Sequence, residues 1–212
     1  MNEGFYANVG IVDGPDFSSF VDYVNDYYGD RYLNSTDRLD KFDKAATLSL
    51  GYLLRFYPGF ALDVGFTIYN LETRGAITNY NPSYPESGIR HDLEYQVGVF
   101  SATIPVLLDF SPDQPLVPYA GIGFSIYAMR LDDIKDDGII VTGSRDTGTS
   151  VGGQFEAGIY LKLSRKIWID FKGSWRNGSG SLRAQEPSIM FEKFTIDQDI
   201  SQITLGGVYF FR

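Results

Sequence analysis

The chain has no cysteine, and its 212 residues include a single histidine. Without cysteine there is no disulfide framework, so the fold must be closed by other means. No stretch approaches the roughly 18–20 consecutive apolar residues of a transmembrane helix. Met1 is not followed by the apolar core of a signal peptide, and the mean hydropathy is slightly negative. A membrane protein built of helices is therefore excluded.

Aromatic residues and glycine are abundant, with 15 Tyr, 16 Phe and 23 Gly. Apolar residues recur with a period of two over segments of about ten residues, which predicts strands with one apolar face. Strands of that length match a bilayer crossed at a tilt, and in a β-barrel the alternating faces cancel in a hydropathy average. The eight predicted strands span about 4–12, 46–56, 61–69, 93–109, 118–128, 153–163, 167–176 and 200–212.

In the fourth strand the apolar positions change parity near Ser101–Pro105, which we interpret as a β-bulge. The connections alternate between short ones and four long ones, about 13–43, 70–92, 129–150 and 177–198. Structureless loops of that length are uncommon in compact soluble domains, whereas short turns at one rim and long loops at the other are typical of outer-membrane barrels.

The sequence therefore predicts one all-β domain, 1–212, an eight-stranded antiparallel up-and-down transmembrane β-barrel. We expect short periplasmic turns, long extracellular loops and both termini in the periplasm, with a signal peptide removed and Met1 added for expression. A soluble lipocalin-like carrier is the architectural alternative, and the lipid-sized apolar faces and long loops disfavour it.

Charged residues separate into two groups. The four long connections together carry the whole formal net charge of −9, which makes nucleic acid an unsuitable partner. The strands and short turns carry no net charge. Several of the strand charges fall on the polar, lumen-facing side: Arg55, Asp63, Glu156, Lys162, Asp170 and Lys172. Because an eight-stranded barrel is just wide enough for side chains to fill it, and buried charges persist when paired, we expect a lumen plugged by ion pairs. Short turns predict the pairs Arg55–Asp63 and Lys162–Asp170.

Several strand sequences resemble the OmpA-like and OmpX-like small outer-membrane barrels. Ile104–Phe110 and Pro118–Gly123 resemble the fourth and fifth strands of that family, and Gly4–Gly10 resembles its first. The ending Gly206–Phe211 resembles its closing strand, whose terminal aromatic is read by the insertion machinery, although here Arg212 follows. The resemblance covers the strand framework and none of the long loops. It implies a Gram-negative outer-membrane location and does not define a role.

Some barrels of this kind are enzymes that act on lipid A, with His, Ser and an acidic residue near the outer rim. The single histidine, His91, precedes Asp92, but Leu93 stands where the lipid A deacylase pattern requires Ser. Only a distant Ser87 is left as a nucleophile, and a triad needs all three groups within hydrogen-bond reach. We therefore expect no enzyme and rank a lipid A-modifying enzyme third among the functions.

The acidic run Asp132–Gly138 superficially suggests a calcium loop. Counted from Asp133, however, Lys135 stands at the third position and Ser144 at the twelfth, where a ligating Glu is needed. We therefore expect an acidic loop tip, with no metal site and no cofactor.

The first long connection contains a helical pattern. Pro15 suits a first turn, and apolar residues recur at helical spacing: Phe17, Phe20, Val21, Val24 and Tyr28. We favour packing of this stripe on the barrel rim over its alternative, an exposed contact surface for lipopolysaccharide or a protein.

The leading hypothesis is a non-enzymatic outer-membrane barrel with a structural or surface-interaction role. Its expected partners are outer-membrane lipid, lipopolysaccharide and an extracellular protein or surface ligand. The alternative is a narrow OmpW-like channel for small or apolar solutes, for which lumen glycines such as Gly51 and Gly65 would leave room.

Overall fold

The computed structural model describes residues 2–14, 21–22, 25, 44–57, 59–78, 88–109, 114–136, 141–183, 193–197 and 199–211. Nine strands follow one another: β1 (Asn2–Asp13), β2 (Lys44–Tyr57), β3 (Phe60–Thr78), β4 (Gly88–Leu107), β5 (Leu116–Asp136), β6 (Val141–Lys162), β7 (Ile167–Arg183), β8 (Lys193–Asp197) and β9 (Ile200–Phe210). Within these residues, no helix is both long enough and apolar enough to cross a membrane.

The strands form one antiparallel sheet that closes on itself. Each strand from β1 to β7 pairs with its neighbours in sequence, and β9 joins β7 to β1. The short β8 pairs with the far end of β7, so β8 and β9 together pair along β7 as one closing strand. With β8 and β9 counted as one strand, eight strands surround the lumen, which confirms the predicted eight-stranded barrel.

An apolar belt covers the outer wall. On β5 the outward positions run from Leu116 through Ile122 to Ala128 before the first charge, Arg130. Twelve residue steps at about 3.4 Å extend about 40 Å along a strand, which at the usual tilt of about 45° covers a hydrocarbon core of about 30 Å. Aromatic rings line the short-turn edge, where Phe5 stacks on Phe211 at 5.2 Å. The wall is that of a membrane-spanning barrel.

The strands extend further than predicted at the end opposite the short turns. The β3–β4 ladder continues to Thr78–Gly88, and the β5–β6 ladder continues to Asp136–Val141. The predicted loops 70–92, 129–150 and 177–198 are therefore largely paired strand, and that prediction is wrong. Beyond the belt both faces carry polar residues, so the period-two apolar signal fades although the backbone ladder continues.

The predicted bulge at Ser101–Pro105 is also wrong. The pairing of β4 with β5 shows no shift along its whole length. The apolar positions change parity because Val97 and Val99 face the lumen, which is itself apolar toward the hairpin end. A register shift does occur in the β2–β3 ladder, between Arg55 and Tyr57.

Candidate functional site

Inward-facing side chains fill the lumen in five layers. Every strand that contributes to several layers meets them in the same order, from the short-turn end to the hairpin end. β7, for example, places Trp168, Asp170, Lys172, Arg176 and Leu182 in succession, all of them buried. The layers are a charged rim, an aromatic layer, an ionic layer, an amide layer and an apolar layer.

The charged rim lies at the short-turn end. Asp109 accepts hydrogen bonds from Arg55 Nη2 at 3.0 Å and from Lys162 Nζ at 2.7 Å. Both cations also stand over the ring of Trp168, at 5.1 and 5.4 Å from its centroid. One carboxylate and one indole therefore hold two cations across the mouth of the barrel.

The aromatic layer closes the lumen above this rim. Tyr119 stacks on Tyr160 at 4.4 Å, Tyr160 contacts Trp168 at 5.6 Å, and Trp168 meets Phe210 edge-on at 4.7 Å. Smaller apolar side chains complete the cluster: Leu53, Ala61, Leu107, Val117 and Val208. Tyr160 is only 1% exposed, so the rings fill the cross-section.

The ionic layer is centred on Lys172. Its Nζ lies 2.8 Å from Asp63 Oδ2 and 3.7 Å from Glu156 Oε2. Tyr6 donates its hydroxyl to Asp63 at 2.7 Å, and Thr103 donates to Glu156 at 2.7 Å. Each carboxylate therefore has a neutral donor in addition to the shared ammonium group, which buried charges require.

Asp170 occupies the same layer without a direct ion pair among the described residues. It accepts hydrogen bonds from the Tyr119 hydroxyl and from Asn8 Nδ2, both at 2.8 Å. The Tyr119 hydroxyl joins the aromatic layer to the ionic one, so the two layers form one continuous plug.

In the amide layer a buried guanidinium group is held by neutral groups. Arg176 Nε donates to Gln154 Oε1 at 2.9 Å, and its Nη1 donates to Gln202 Oε1. Gln154 also links the amide layer to the ionic layer, because its Nε2 donates a hydrogen bond to Glu156 at 3.2 Å. The four lumen cations of these layers are matched by four carboxylates: Arg55, Lys162, Lys172 and Arg176 against Asp63, Asp109, Glu156 and Asp170.

All six predicted lumen charges lie inside the barrel, but neither predicted ion pair forms. In the β2–β3 ladder Arg55 stands opposite Ala61, and Asp63 stands opposite Leu53. Arg55 pairs with Asp109 instead. Lys162 reaches the same Asp109 rather than Asp170, which is held by neutral donors.

Sequence reasoning missed two of the central charges, Asp109 and Arg176. Both continue the inward period of a strand that had been identified, since Asp109 follows Leu107 by two residues and Arg176 follows Ser174 by two. Each is the last residue of its predicted strand, 93–109 or 167–176, so following the inward alternation to the end of the strand would have found it.

Two of the lumen glycines, Gly51 and Gly65, lie against the side chain of Tyr6. A Cβ added at Gly51 would lie 2.3 Å from Cζ of Tyr6, and one added at Gly65 would lie 2.1 Å from its hydroxyl oxygen. Only glycine permits so close an approach. The space beside these two glycines is therefore filled by the Tyr6 side chain.

The remaining predicted sites fall at the hairpin end. His91 pairs through its backbone with Lys135 in the β4–β5 ladder, while its side chain and Ser87 lie outside the described residues. Residues 132–136 belong to β5 rather than to a loop tip, which corrects that expectation. The described residues contain no group of three or more His, Asp or Glu side chains able to hold a metal ion.

Of the predicted helical stripe, only Val21 lies within the described residues; Phe17, Phe20, Val24 and Tyr28 lie outside them. Val21 is helical and 1% exposed. Burial of this residue agrees with packing rather than with an exposed contact surface.

Comparison with known proteins gives matches in structure alone. No family model matches the chain, and no curated protein matches it in sequence. The outer membrane protein OprG of Pseudomonas aeruginosa is similar in structure, with a TM-score of 0.63, 12% identity, and coverage of 100% of this chain and 96% of that one. The attachment invasion locus protein Ail of Yersinia pestis, solved with sucrose octasulfate, gives a TM-score of 0.44 at 14% identity, and the match covers 100% of each chain.

A major outer membrane protein of Thermus thermophilus gives a TM-score of 0.46 at 9% identity, covering 99% of each chain. Identities this low bear on the fold alone. The fold, the belt and the OprG likeness together define a small transmembrane β-barrel of the outer-membrane class.

Proposed function

We propose that this protein is a non-enzymatic, non-conducting outer-membrane barrel that acts at the cell surface through its projecting hairpins. The observation that carries the proposal is the lumen plug, because aromatic, ionic and amide layers of buried side chains occupy successive cross-sections. A pathway for solutes would have to break the hydrogen bonds of Lys172 and displace Tyr160 and Trp168.

The hairpins supply the surface for that role. Beyond the belt, β5 and β6 stay paired for a further seven residues on β5, from Arg130 to Asp136, which is about 20 Å of strand. Short turns and both strand termini, Asn2 and Phe210, lie at the opposite end. The proposed orientation puts the hairpins outside the cell and the termini in the periplasm, where the acidic connections keep the outer end soluble and accessible to an extracellular protein or surface ligand.

Conductance across a planar bilayer tests the plug. We expect the refolded wild type to give no steady single-channel steps, whereas the triple variant Trp168→Ala/Lys172→Ala/Arg176→Ala should conduct, because it shortens one large lumen side chain of β7 in each of the three layers. Both proteins are checked for folding by their gel mobility before and after boiling. Reproducible large steps in the wild type would contradict the proposal.

A pair of inserted epitope tags tests the orientation. We expect a tag between Asp137 and Gly138 to bind antibody on intact cells, and a tag at Arg165 to bind it only after the outer membrane is opened. The reverse pattern would invert the orientation.

The second candidate is a conduit for small apolar solutes. The apolar layer at the hairpin end favours it, since Tyr95, Val97, Val99, Tyr127 and Met129 line the lumen there. A solute entering this layer would meet Arg176 and the plug below it. Uptake of an apolar dye into vesicles that contain the wild-type barrel, and not into empty ones, would promote this candidate.

A further inference from the structure

The outer part of β6 has a partner strand on one side only. Its ladder with β5 continues to Val141, whereas its ladder with β7 ends at Val151–Ser179. β7 itself continues to Arg183, where it pairs with β8 and not with β6. Among the described strands, none pairs with the β7 side of residues 141–150. We call this one-sided segment, 141–150, the β6 edge.

Odd-numbered residues of β6 direct their backbone groups toward this open side. The Gly153 N–H donates to Asn177 Oδ1 on β7 at 3.0 Å, so it points away from β5. In an antiparallel ladder, successive residues point their N–H and C=O groups to opposite sides, and the β5–β6 register shows no shift as far as Val141. The backbone groups of Val141, Gly143 and Arg145 therefore point to the open side, where an added strand can pair with them.

The β6 edge lacks the features that usually protect a strand edge. Natural edges are blocked by lysine, proline, a bulge or a covering element. Residues 141–150 contain neither lysine nor proline, and their pairing with β5 contains no bulge. One edge donor is covered by a side chain, since Asp146 Oδ1 accepts a hydrogen bond from the Thr147 N–H at 2.9 Å. Four residues are β-branched and suit an extended strand: Val141, Thr142, Thr147 and Thr149.

Most of the β6 edge stands beyond the apolar belt. Thr147 is the cross-strand partner of Arg130, the first outward charge on β5. The backbone from Thr147 to Val141 therefore lies outside the hydrocarbon and extends about 20 Å. A polypeptide that approaches from the water can reach this part of the edge without entering the membrane.

An apolar spot on the outer face adjoins the open side. Ile134 and Val141 are 43% and 67% exposed, although both lie beyond the belt. Gly143 is the cross-strand partner of Ile134, and it has no side chain to cover the isoleucine. An apolar side chain on a strand added beside Gly143 can therefore pack against both residues and remove their surface from water.

We propose that the β6 edge binds an extended segment of an extracellular protein as an added strand, with an apolar side chain of that segment beside Gly143. In this mode of recognition, main-chain hydrogen bonds give affinity and pockets for alternate side chains give specificity. The site rests on the proposed function and deepens it, because the hairpins must face the outside of the cell.

The position of the edge favours a separate protein over a second copy of this chain. The open side faces along the circumference of the barrel, toward the place above the end of β7. A strand of a neighbouring barrel in the same membrane is continuous with its own wall, so bringing it to this place would make the two walls overlap. An extended segment of a separate protein has no such restriction. The net charge of −9, carried by the long connections, disfavours a strongly acidic segment.

Gly143→Pro tests the edge, with Gly143→Ala as the matched control. Proline removes the N–H that points to the open side, and edge strands tolerate it there, so the ladder with β5 is kept. Alanine keeps the N–H, and the φ angle of Gly143 is not positive. Wild-type barrels in lipid nanodiscs are used to select binders from a phage-displayed library of random short peptides. We expect selected peptides to bind Gly143→Ala within about twofold of the wild type and Gly143→Pro at least tenfold more weakly.

Amide hydrogen exchange locates the bound peptide. We expect exchange to slow at Val141, Gly143 and Arg145 when the peptide binds, because their N–H groups gain partners. Gel mobility before and after boiling shows whether each variant folds. If Gly143→Pro does not fold, Arg145→Pro replaces it, with Arg145→Ala as its control.

Three results would overturn the proposal. The first is equal binding of the selected peptides to the proline variant and the wild type. The second is a selection that yields no binder. The third is a wild-type dimer in nanodiscs that the proline variant abolishes, since the occupant would then be a second copy. The epitope tags report the orientation independently, so a failed orientation and a failed edge are distinguishable.

Discussion

Lys172 illustrates how a single residue is kept charged within a membrane barrel. Its ammonium group lies between Asp63 and Glu156, and each of these carboxylates also accepts a hydroxyl hydrogen bond. The arrangement tolerates little change in its partners, because a buried charge that loses its partner has no water to replace it.

Replacing Asp63 with Asn should therefore destabilise the barrel strongly. Lys172 would keep only Glu156, at 3.7 Å, and breaking a fully buried pair costs about 3–5 kcal/mol. Urea unfolding in lipid vesicles, followed by tryptophan fluorescence, measures the loss. Asp199→Asn, at an exposed position, is the control and should shift the unfolding free energy by less than about 0.5 kcal/mol. An equal effect of both variants would contradict the pairing.

A second residue-scale prediction concerns Gly51 and Tyr6. A Cβ at Gly51 would overlap the Tyr6 ring at 2.3 Å, so Gly51→Ala should destabilise the barrel by about 1–3 kcal/mol, as overpacking does. In the Tyr6→Leu background the same change should cost less, because the ring is gone. A double-mutant cycle in the same unfolding assay measures the coupling, and strictly additive effects would show that the ring does not occupy this space.

At the scale of elements, the sequence predicted every strand inside the membrane and misjudged what lies beyond it. Strands β2 and β6 were found because one face meets lipid and must be apolar, which imposes a period of two. Outside the belt both faces of the strands meet water. The outer parts of the β3–β4 and β5–β6 ladders therefore show no apolar period of two in the sequence. The ion-pair partners could not be predicted from the sequence either. Asp109 pairs with Arg55 and Lys162 across the lumen, and the spacing of these residues along the chain does not indicate that contact.

The first long connection is the element whose removal is most informative. β1 ends at Asp13 and β2 begins at Lys44, and the β1–β2 ladder is complete between them. Deleting residues 16–41 should therefore leave a barrel that folds and shifts in gel mobility on boiling. The intact barrel is the reference for binding to cells. Failure of the shortened chain to fold would make this connection part of the fold, and unchanged binding would assign the surface role to the hairpins β3–β4 and β5–β6.

The whole molecule should resist dodecyl sulfate until it is boiled. The strands of the belt are paired side by side around a closed sheet, and a closed sheet offers no edge at which unpairing can start. We expect unheated and boiled samples to migrate differently on a gel, with a strand-dominated circular dichroism spectrum in detergent. Identical migration, or a monomer that stays soluble without detergent, would be incompatible with a membrane barrel.

The pairing of β9 with β1 has a consequence for how the chain reaches its native state. The seam joins the first strand to the last, from Gly4–Phe210 to Asp13–Ser201, so the largest sequence separation in the protein is bridged at the final ladder. Such distant pairings are slow to form, and until β9 is in place β1 and β7 each have one edge without a partner strand. β9 is synthesised last, so any sheet formed before it is open and has two unpaired edges. Such edges can pair with other chains. We therefore expect the chain to need a chaperone until the eleven residues of β9 are synthesised, and we expect a stop codon before Ile200 to yield an aggregate rather than a smaller barrel.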